Sequence, residues 1–252
     1  MRRLVSAVAF LLGTTLFIPA ATLNDVKILE ASENIKYLTQ NITKNYLYLY
    51  TYPNKRHLKI TIQDAIKDLE KNIQTIATTT KAEKTKELLD FFAYEKEQIK
   101  LLLEEKPDTV RAAEFLDFSE ALTEGAQSIA DAIDYNYSFE DRMFLRSKRI
   151  EYLVEKLAKY YMASELNIDT KTISEDIPKT VAEVEKDLIK IQHYTYPETL
   201  NTQKASLAKL WSTSKHYYTT ANQVKIPALV LLATQGLQSI MIQIAIHHGK
   251  GE

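Results

Sequence analysis

Cysteine is absent from this chain of 252 residues, and glycine and proline are scarce, with five and six copies. The absence of cysteine excludes disulfides, thiolate metal sites, a cysteine nucleophile and a thiol that accepts a lipid. Little glycine and proline, together with much Leu, Ile, Ala, Lys and Glu, favours a helical protein over a turn-rich sheet protein. Stability must therefore come from packing alone.

Motifs for catalysis are also missing. The sequence has no Gly-rich phosphate loop, no nucleophile elbow and no zinc-binding helix motif. The adjacent His247 and His248 have no third metal ligand nearby in the sequence. We therefore predict that the protein is not an enzyme and uses no cofactor and no metal.

Residues 1–21 differ in composition from the rest of the chain. Arg2 and Arg3 precede an uncharged apolar run, which ends in small residues at Ala20 and Ala21. This pattern predicts a secretory signal peptide and a periplasmic or secreted protein; the alternative is a retained anchor helix. Removal of the two arginines would change the net charge from −1 to −3, which argues against a nucleic-acid partner.

The remaining sequence repeats itself. IKYLTQNITKNYL from Ile35 is answered 115 residues later by IEYLVEKLAKYYM from Ile150. At the same spacing DLEKNIQTI from Asp68 is answered by EVEKDLIKI, and TEGAQSIADAI from Thr123 is answered by TQGLQSIMIQI after 111 residues. A unit of this length is one small domain, so the chain is a tandem duplication.

Apolar residues recur at helical spacing throughout both units, as in the stripe Ile177, Val181, Val184, Leu188 and Ile191. Breaks at Pro- and Asn-containing turns divide each unit into four helices. The pattern predicts an all-α protein with two up-down-up-down four-helix bundles, at 23–136 and 138–248, each burying its own apolar seam. Pro178 is expected in the first turn of its helix.

Three points allow alternatives. The period-two tyrosines of Asn45–Pro53 resemble a strand, but the matching segment of the second unit favours helix. Ser138 is a candidate cap for the next helix. If residues 136–138 are helical the bundles stack end to end, which we favour; if they bend, the bundles lie side by side as a pseudo-dimer. The uncharged stretch 226–246 is long enough to span a bilayer, but its glutamines favour a helix buried in the bundle, more covered than its counterpart and not a stable transmembrane helix.

Two sets of polar side chains receive structural interpretations. The tyrosines at 46, 48, 50 and 52, together with Tyr135 and Tyr137, are predicted to pack amphipathically with hydrated hydroxyls; the alternative is an aromatic cluster near the bundle end and the joint between the units, which would be a ligand or glycan platform. Lys44 and Lys159 occupy matching positions and are predicted to be surface charges whose stems cover the core.

The segment Lys36–Tyr46, KYLTQNITKNY, resembles the signature R-M-L-S-Q-R-x-A-K-x-Y of one sensor family. That family is the PilJ-type domain, the N-terminal domain of type IV pili methyl-accepting chemotaxis transducers, which is related to NarX-like nitrate-sensor input domains. The resemblance covers roughly residues 30–134 and, more weakly, 146–247. It implies a periplasmic four-helix bundle that senses a small ligand.

In the nitrate sensors of this family, an arginine before the M of the signature helps to hold the anion at a dimer interface. Lys36 occupies that position in the first unit and Glu151 in the second. A lysine lacks the planar two-pronged donor and a glutamate repels anions, so nitrate sensing does not transfer. The resemblance implies ligand contacts at Lys36 and Gln40.

Two functions follow as hypotheses. The first is a small-ligand-binding or sensory-accessory module that binds a small anion or metabolite and acts through a membrane sensor or envelope protein partner. The second is a structural or adhesive envelope protein without a small ligand, suggested by the tyrosine-rich ends and the uncharged last helix.

Overall fold

The computed structural model describes residues 23–221 and 223–249, which form eight α-helices and contain no strand. The first unit contains α1 (Leu23–Thr51), α2 (Arg56–Thr79), α3 (Glu83–Glu104) and α4 (Thr109–Asp131). The second contains α5 (Phe139–Glu165), α6 (Thr170–His193), α7 (Glu198–Thr219) and α8 (Pro227–Gly249). The prediction of an all-α fold is confirmed, while the predicted signal peptide at 1–21 lies outside the described residues.

The apolar stripes of the sequence are the inner faces of the helices. All five residues of the stripe that begins at Ile177 in α6 are buried. The tyrosine-rich segment is also helical, since α1 continues to Thr51. Within it Tyr46 is fully buried and stacks on Phe115 of α4, with ring centroids 3.8 Å apart. Burial against a neighbouring helix therefore outweighs the local strand pattern.

The helix contacts form two rings of four. In the first, α1 packs against α2 and α4, and α3 packs against the same two helices. In the second, α5 packs against α6 and α8, and α7 contacts both of them. Short turns connect successive helices, so neighbours in the chain are antiparallel. We refer to these two rings as the first and second quartets.

The end-to-end arrangement is wrong. Residues 133–138 are not helical, and the hydroxyl of Ser138 caps α5 by accepting a 3.0 Å hydrogen bond from the Asp141 N–H. Because the chain bends there, α5 lies beside α1 and packs along it. Contacts such as Lys36 with Tyr152 and Asn41 with Glu155 advance together along both helices, so α1 and α5 are parallel.

This pairing also merges the interiors of the two quartets. The buried apolar side chains of both units belong to one continuous core, which passes through α1 and α5. The expectation that each unit buries a separate seam is therefore wrong. The physical reason is that α1 and α5 each pack against helices of their own quartet and against each other, so both are buried on nearly all sides near their middles.

Pro178 does not lie in the first turn of α6, as the sequence suggested. The helix begins at Thr170, so two further turns precede the proline. The backbone enters α6 through Asn167 and Asp169, whose φ angles of 56° and 43° lie in the left-handed region. Asn and Asp tolerate that region better than most residues, which explains how the turn starts the helix early.

The last helix is less covered than expected. Nine of its 23 residues are buried, which equals the nine of 23 in its counterpart α4. Among the described residues α8 is also the one helix that is long and apolar enough to span a membrane by length and composition. Its inner face packs against α5 and α7, whereas its outer face exposes Leu229, Leu232, Ile242 and Ile246.

Candidate functional site: the polar interface between α1 and α5

Charged and amide side chains are buried where α1, α4 and α5 meet. Lys36, Gln40 and Lys44 of α1 are all less than 5% exposed, as are Glu151, Glu155 and Lys159 of α5. These six residues occupy three matching pairs of positions in the repeat, 115 residues apart. Of the six, Lys44 and Lys159 contact the other quartet, whereas Lys36 and Gln40 hydrogen-bond to α4 of their own quartet.

A buried ion pair joins the two helices. The Lys44 ammonium of α1 lies 2.9 Å from one carboxylate oxygen of Glu155 in α5 and 2.8 Å from the other. Asn41 donates a second hydrogen bond, of 2.7 Å, to Glu155 Oε1, and Asn45 supports Asn41 with a 2.9 Å hydrogen bond. A buried pair withstands its loss of hydration only when further hydrogen bonds satisfy the charges, as Asn41 does here.

Lys159, the counterpart of Lys44, is fully buried. Its ammonium donates to the Ser119 hydroxyl at 2.9 Å and to the Glu120 carboxylate at 2.5 Å, which ties α5 to α4. Burial lowers the pKa of Lys159 to about 8, although Glu120 opposes this shift. The prediction that Lys44 and Lys159 are surface charges is therefore wrong, because both face the other quartet.

At one matching pair of positions, the two units carry the same ion pair in opposite order: Glu33 precedes Lys36 in α1, whereas Lys148 precedes Glu151 in α5. In α1, Lys36 donates a 2.6 Å hydrogen bond to Glu33, three residues earlier. At the matching positions of α5, Glu151 lies 3.7 Å from Lys148. One buried oxygen of Glu151 has no hydrogen-bond partner, and burial raises the pKa of this carboxyl from 4.5 to about 7. The second pair is thus the weaker one and can change its charge near neutral pH.

The two predicted ligand contacts lie near each other and already have protein partners. Besides Glu33, the Lys36 ammonium binds the Gln127 side-chain oxygen at 2.8 Å and lies 5.6 Å from the centre of the Tyr152 ring. Gln40 donates to the Thr123 hydroxyl at 2.9 Å, while its own side-chain oxygen is buried without a partner. Two of the three N–H donors of Lys36 are therefore occupied by Glu33 and Gln127.

An arginine-lined cleft opens beside the Glu33–Lys36 pair. Its volume is ≈ 220 Å³, which is below the ~300–1,000 Å³ typical of small-molecule pockets. The cleft is lined by Glu33, Tyr137, Arg142, Leu145, Arg146, Arg149 and Asp187. It therefore joins α1, the segment between the quartets, α5 and α6.

The three arginines hold different partners. Arg146 and Arg149 donate to opposite oxygens of Asp187, at 3.1 and 2.9 Å. Arg142 is exposed and donates one 2.5 Å hydrogen bond to the Tyr137 carbonyl. A guanidinium has five N–H donors, so Arg142 retains donors from which an anion in the cleft could accept hydrogen bonds. The spacing of Arg142, Arg146 and Arg149 places all three on one face of α5, and this pattern in the sequence could have predicted the cleft.

The tyrosines do not form one cluster. Tyr48 and Tyr52 stack near the C-terminal end of α1, with centroids 6.5 Å apart. Tyr135 and Tyr137 contact each other near the opposite end of α1, where Tyr137 lines the cleft together with Glu33. The alternative of a single cluster is wrong because α4 is antiparallel to α1, so the segment that follows α4 lies beside the start of α1.

The two adjacent histidines form a structural contact. His248 binds Glu140 of α5 through Nδ1 and the Tyr196 hydroxyl, 3.0 Å away, through Nε2. Both ring nitrogens of this buried side chain are thus occupied. Over residues 23–221 and 223–249, no group of three or more His, Asp or Glu is placed to hold a metal ion.

Comparisons with protein-family models, curated proteins and solved structures find no match to this chain. The arrangement itself defines the candidate site: an arginine-lined cleft next to a buried polar interface. Its chemistry suits the binding of a small anion, because guanidinium groups pair with carboxylate and similar planar anions through two parallel hydrogen bonds.

Proposed function

We propose that the protein is a non-enzymatic, exported module that binds a small anion or metabolite in the periplasm and acts through a partner protein. The observation that carries this proposal is the parallel, charge-bearing pairing of α1 with α5. It supports the suggested relationship to PilJ-type domains and the NarX-like nitrate sensors, since in those nitrate sensors the anion lies at an interface between two chains. Here two similar helices of one chain make an interface of that kind.

Buried charges are costly, and replacing them with apolar residues often stabilises a protein. A purely structural bundle would gain by filling the α1–α5 interface with apolar side chains. This interface instead holds Lys44 and Glu155, with Lys159 buried next to it against α4 and a carboxyl at Glu151 that titrates near neutral pH. Ionisable groups with perturbed pKa values are concentrated at functional sites, which favours a binding role.

The ligand enters at the arginine-lined cleft. An anion bound by Arg142 and Arg146 competes with Asp187 for guanidinium donors. It also lies next to Glu33, and repulsion between the anion and that carboxylate weakens the hold of Glu33 on Lys36. Binding at the cleft thereby changes the polar contacts of α1 with its neighbours, and a partner protein detects the change.

The test is a thermal-shift screen of the purified protein with small inorganic anions and carboxylate metabolites. We expect at least one to raise the melting temperature, since a ligand that binds the native state stabilises it. Arg142→Ala and Lys36→Ala should reduce that rise, each measured against the variant's own unliganded melting temperature. Arg56→Ala is the matched control, because Arg56 is exposed on α2. Absence of stabilisation by every compound, or equal rises in all variants, would contradict the proposal.

A structural or adhesive envelope protein is the second candidate function. The exposed apolar side chains of α8 favour it, because they provide a contact surface without any small ligand. Deletion of α8 cannot test this function, since the deletion would also uncover α5. Point variants on the outer face of α8 leave the core intact, so retention of the native melting temperature with loss of envelope association would favour this function.

A further inference from the structure

The outer face of α8 is a continuous uncharged surface. It exposes Leu229, Leu232, Ile242 and Ile246, with exposed fractions from 44% to 66%. The uncharged Gln235, Ser239 and Gln243 lie between them on the same exposed face. Exposed apolar patches of this kind mark interaction sites.

The repeat shows that this face is particular to the second unit. α4 carries Glu124 and Asp131 at the positions that correspond to Gln235 and Ile242, at the spacing of 111 residues. The serine at the centre of the face is retained, as Ser128 in α4 and Ser239 in α8. α8 therefore occupies the same place in its quartet as α4 but lacks the charges that hydrate the outer face of α4.

The face is nearly palindromic about Ser239. Leu232 and Ile246 lie seven residues on either side of Ser239, and Gln235 and Gln243 lie four residues on either side. Two copies of α8 that cross antiparallel at Ser239 would therefore place Leu232 opposite Ile246 and Gln235 opposite Gln243, twice each. A two-fold interface requires this kind of self-complementarity, because the same patch faces itself. The absence of charge between 226 and 246 removes like-charge repulsion, and the small Ser239 allows close approach.

A cleft beside Leu232 fits the same antiparallel arrangement of two α8 helices. It has a volume of ≈ 400 Å³ and is lined by Tyr48, Tyr52, Lys55, Ala228, Leu231, Leu232 and Gln235. In the antiparallel arrangement, the end of the second α8 that bears Ile246 lies over this cleft. The Lys55 ammonium at its rim, 5.0 Å from the Tyr52 ring, then faces the C-terminal end of that helix. A cation there is favourable because the helix C-terminus carries partial negative charge.

We propose that the outer face of α8 is a homodimer interface, in which α8 of a second copy of this chain packs antiparallel across a two-fold axis at Ser239. This inference does not depend on the proposed ligand. It commits to a second copy because the uncharged palindromic face, the adjacent apolar cleft and the position of Lys55 all fit the same antiparallel helix.

The oligomeric state of the purified full-length chain tests the proposal. Size-exclusion chromatography with light scattering should give a dimer for the native chain and a monomer for Leu232→Glu. Ile60→Glu is the matched control, because Ile60 is 58% exposed on α2 and lies outside the proposed interface. Unchanged circular dichroism of Leu232→Glu would show that the variant folds. A native chain that is monomeric, or a dimer that survives Leu232→Glu, would overturn the proposal.

A second measurement locates the axis. The chain has no cysteine, so a single introduced thiol reports one position. Ser239→Cys should form an intermolecular disulfide under mild oxidation much faster than Thr61→Cys, an exposed control on α2. Equal rates for the two variants would contradict the two-fold axis. Flotation of a monomeric chain with phosphatidylcholine vesicles would also overturn the proposal and assign the face to lipid.

Discussion

Glu151 should make the fold less stable as the pH rises, which is the reverse of an ion-paired carboxylate, and its replacement by glutamine should remove that pH dependence. Glu151 is buried, lies 3.7 Å from its cation and has one oxygen without a partner. Burial therefore raises its pKa in the folded protein to about 7, against 4.5 in its ordinary state. The folded chain binds this proton more tightly than the unfolded chain does.

The sign and size follow from proton linkage. Above pH 7 the ionised carboxylate destabilises the fold; the penalty shrinks as the pH falls and is gone below about pH 4.5. A shift from 4.5 to about 7 corresponds to about 3 kcal/mol at 1.36 kcal/mol per unit. The neutral amide of Glu151→Gln avoids that penalty, so the variant should be more stable than the native protein at pH 8, by up to about 3 kcal/mol.

Urea unfolding followed by helical circular dichroism at pH 8 and pH 5 measures the difference. The advantage of Glu151→Gln should be large at pH 8 and small at pH 5. Glu124→Gln, on the outer face of α4, is the control and should show little effect at either pH. A variant less stable than the native protein at pH 8, or a difference that does not change with pH, would refute the reasoning.

Two further predictions concern packing and protonation. Gly125→Ala places a methyl group 2.5 Å from a ring carbon of the fully buried Phe92, so it should lower the free energy of unfolding by ~1–3 kcal/mol. The methyl group of Gly236→Ala meets only the end of the flexible Leu210 side chain, so this variant should lose less free energy of unfolding. Urea unfolding of both variants measures the difference, and equal losses would contradict the reasoning. Burial lowers the pKa of His248 below 6.5, so its contribution to stability should be lost as the pH falls below 6.5. The test compares Glu151→Gln with the double variant that also carries His248→Gln. The melting temperature of the double variant should fall less between pH 7 and pH 5; an equal fall in both proteins would mean that other groups cause it.

The helices and their ends were largely predictable, because they depend on local patterns. The stripe that begins at Ile177 gave the inner face of α6, and the sequence after Asn136 marked Ser138 as a cap. That cap was also the signal against the end-to-end arrangement, since a capped helix start at residue 138 cannot continue α4. The preference for a straight connection gave too little weight to this one residue.

The candidate site was harder to predict. Polar stripes on amphipathic helices normally face solvent, so Lys44 and Lys159 were expected at the surface. Both are buried because a second quartet covers the same stripe, and one sequence does not show which polar faces meet. Matching lysines 115 residues apart were the available signal, as were the arginines at 142, 146 and 149 on one face of α5.

The central claim is that α1 and α5 pack side by side in parallel, and a double-mutant cycle on Lys44 and Glu155 tests it most directly. Lys44→Met and Glu155→Met should each lower the free energy of unfolding by ~3–5 kcal/mol, because each leaves a buried charge without its partner. The double variant should lose less than the sum by at least ~1.5 kcal/mol, since it removes both charges. Additive effects, within ~0.5 kcal/mol, would show that the two side chains do not meet and would contradict the pairing of α1 with α5.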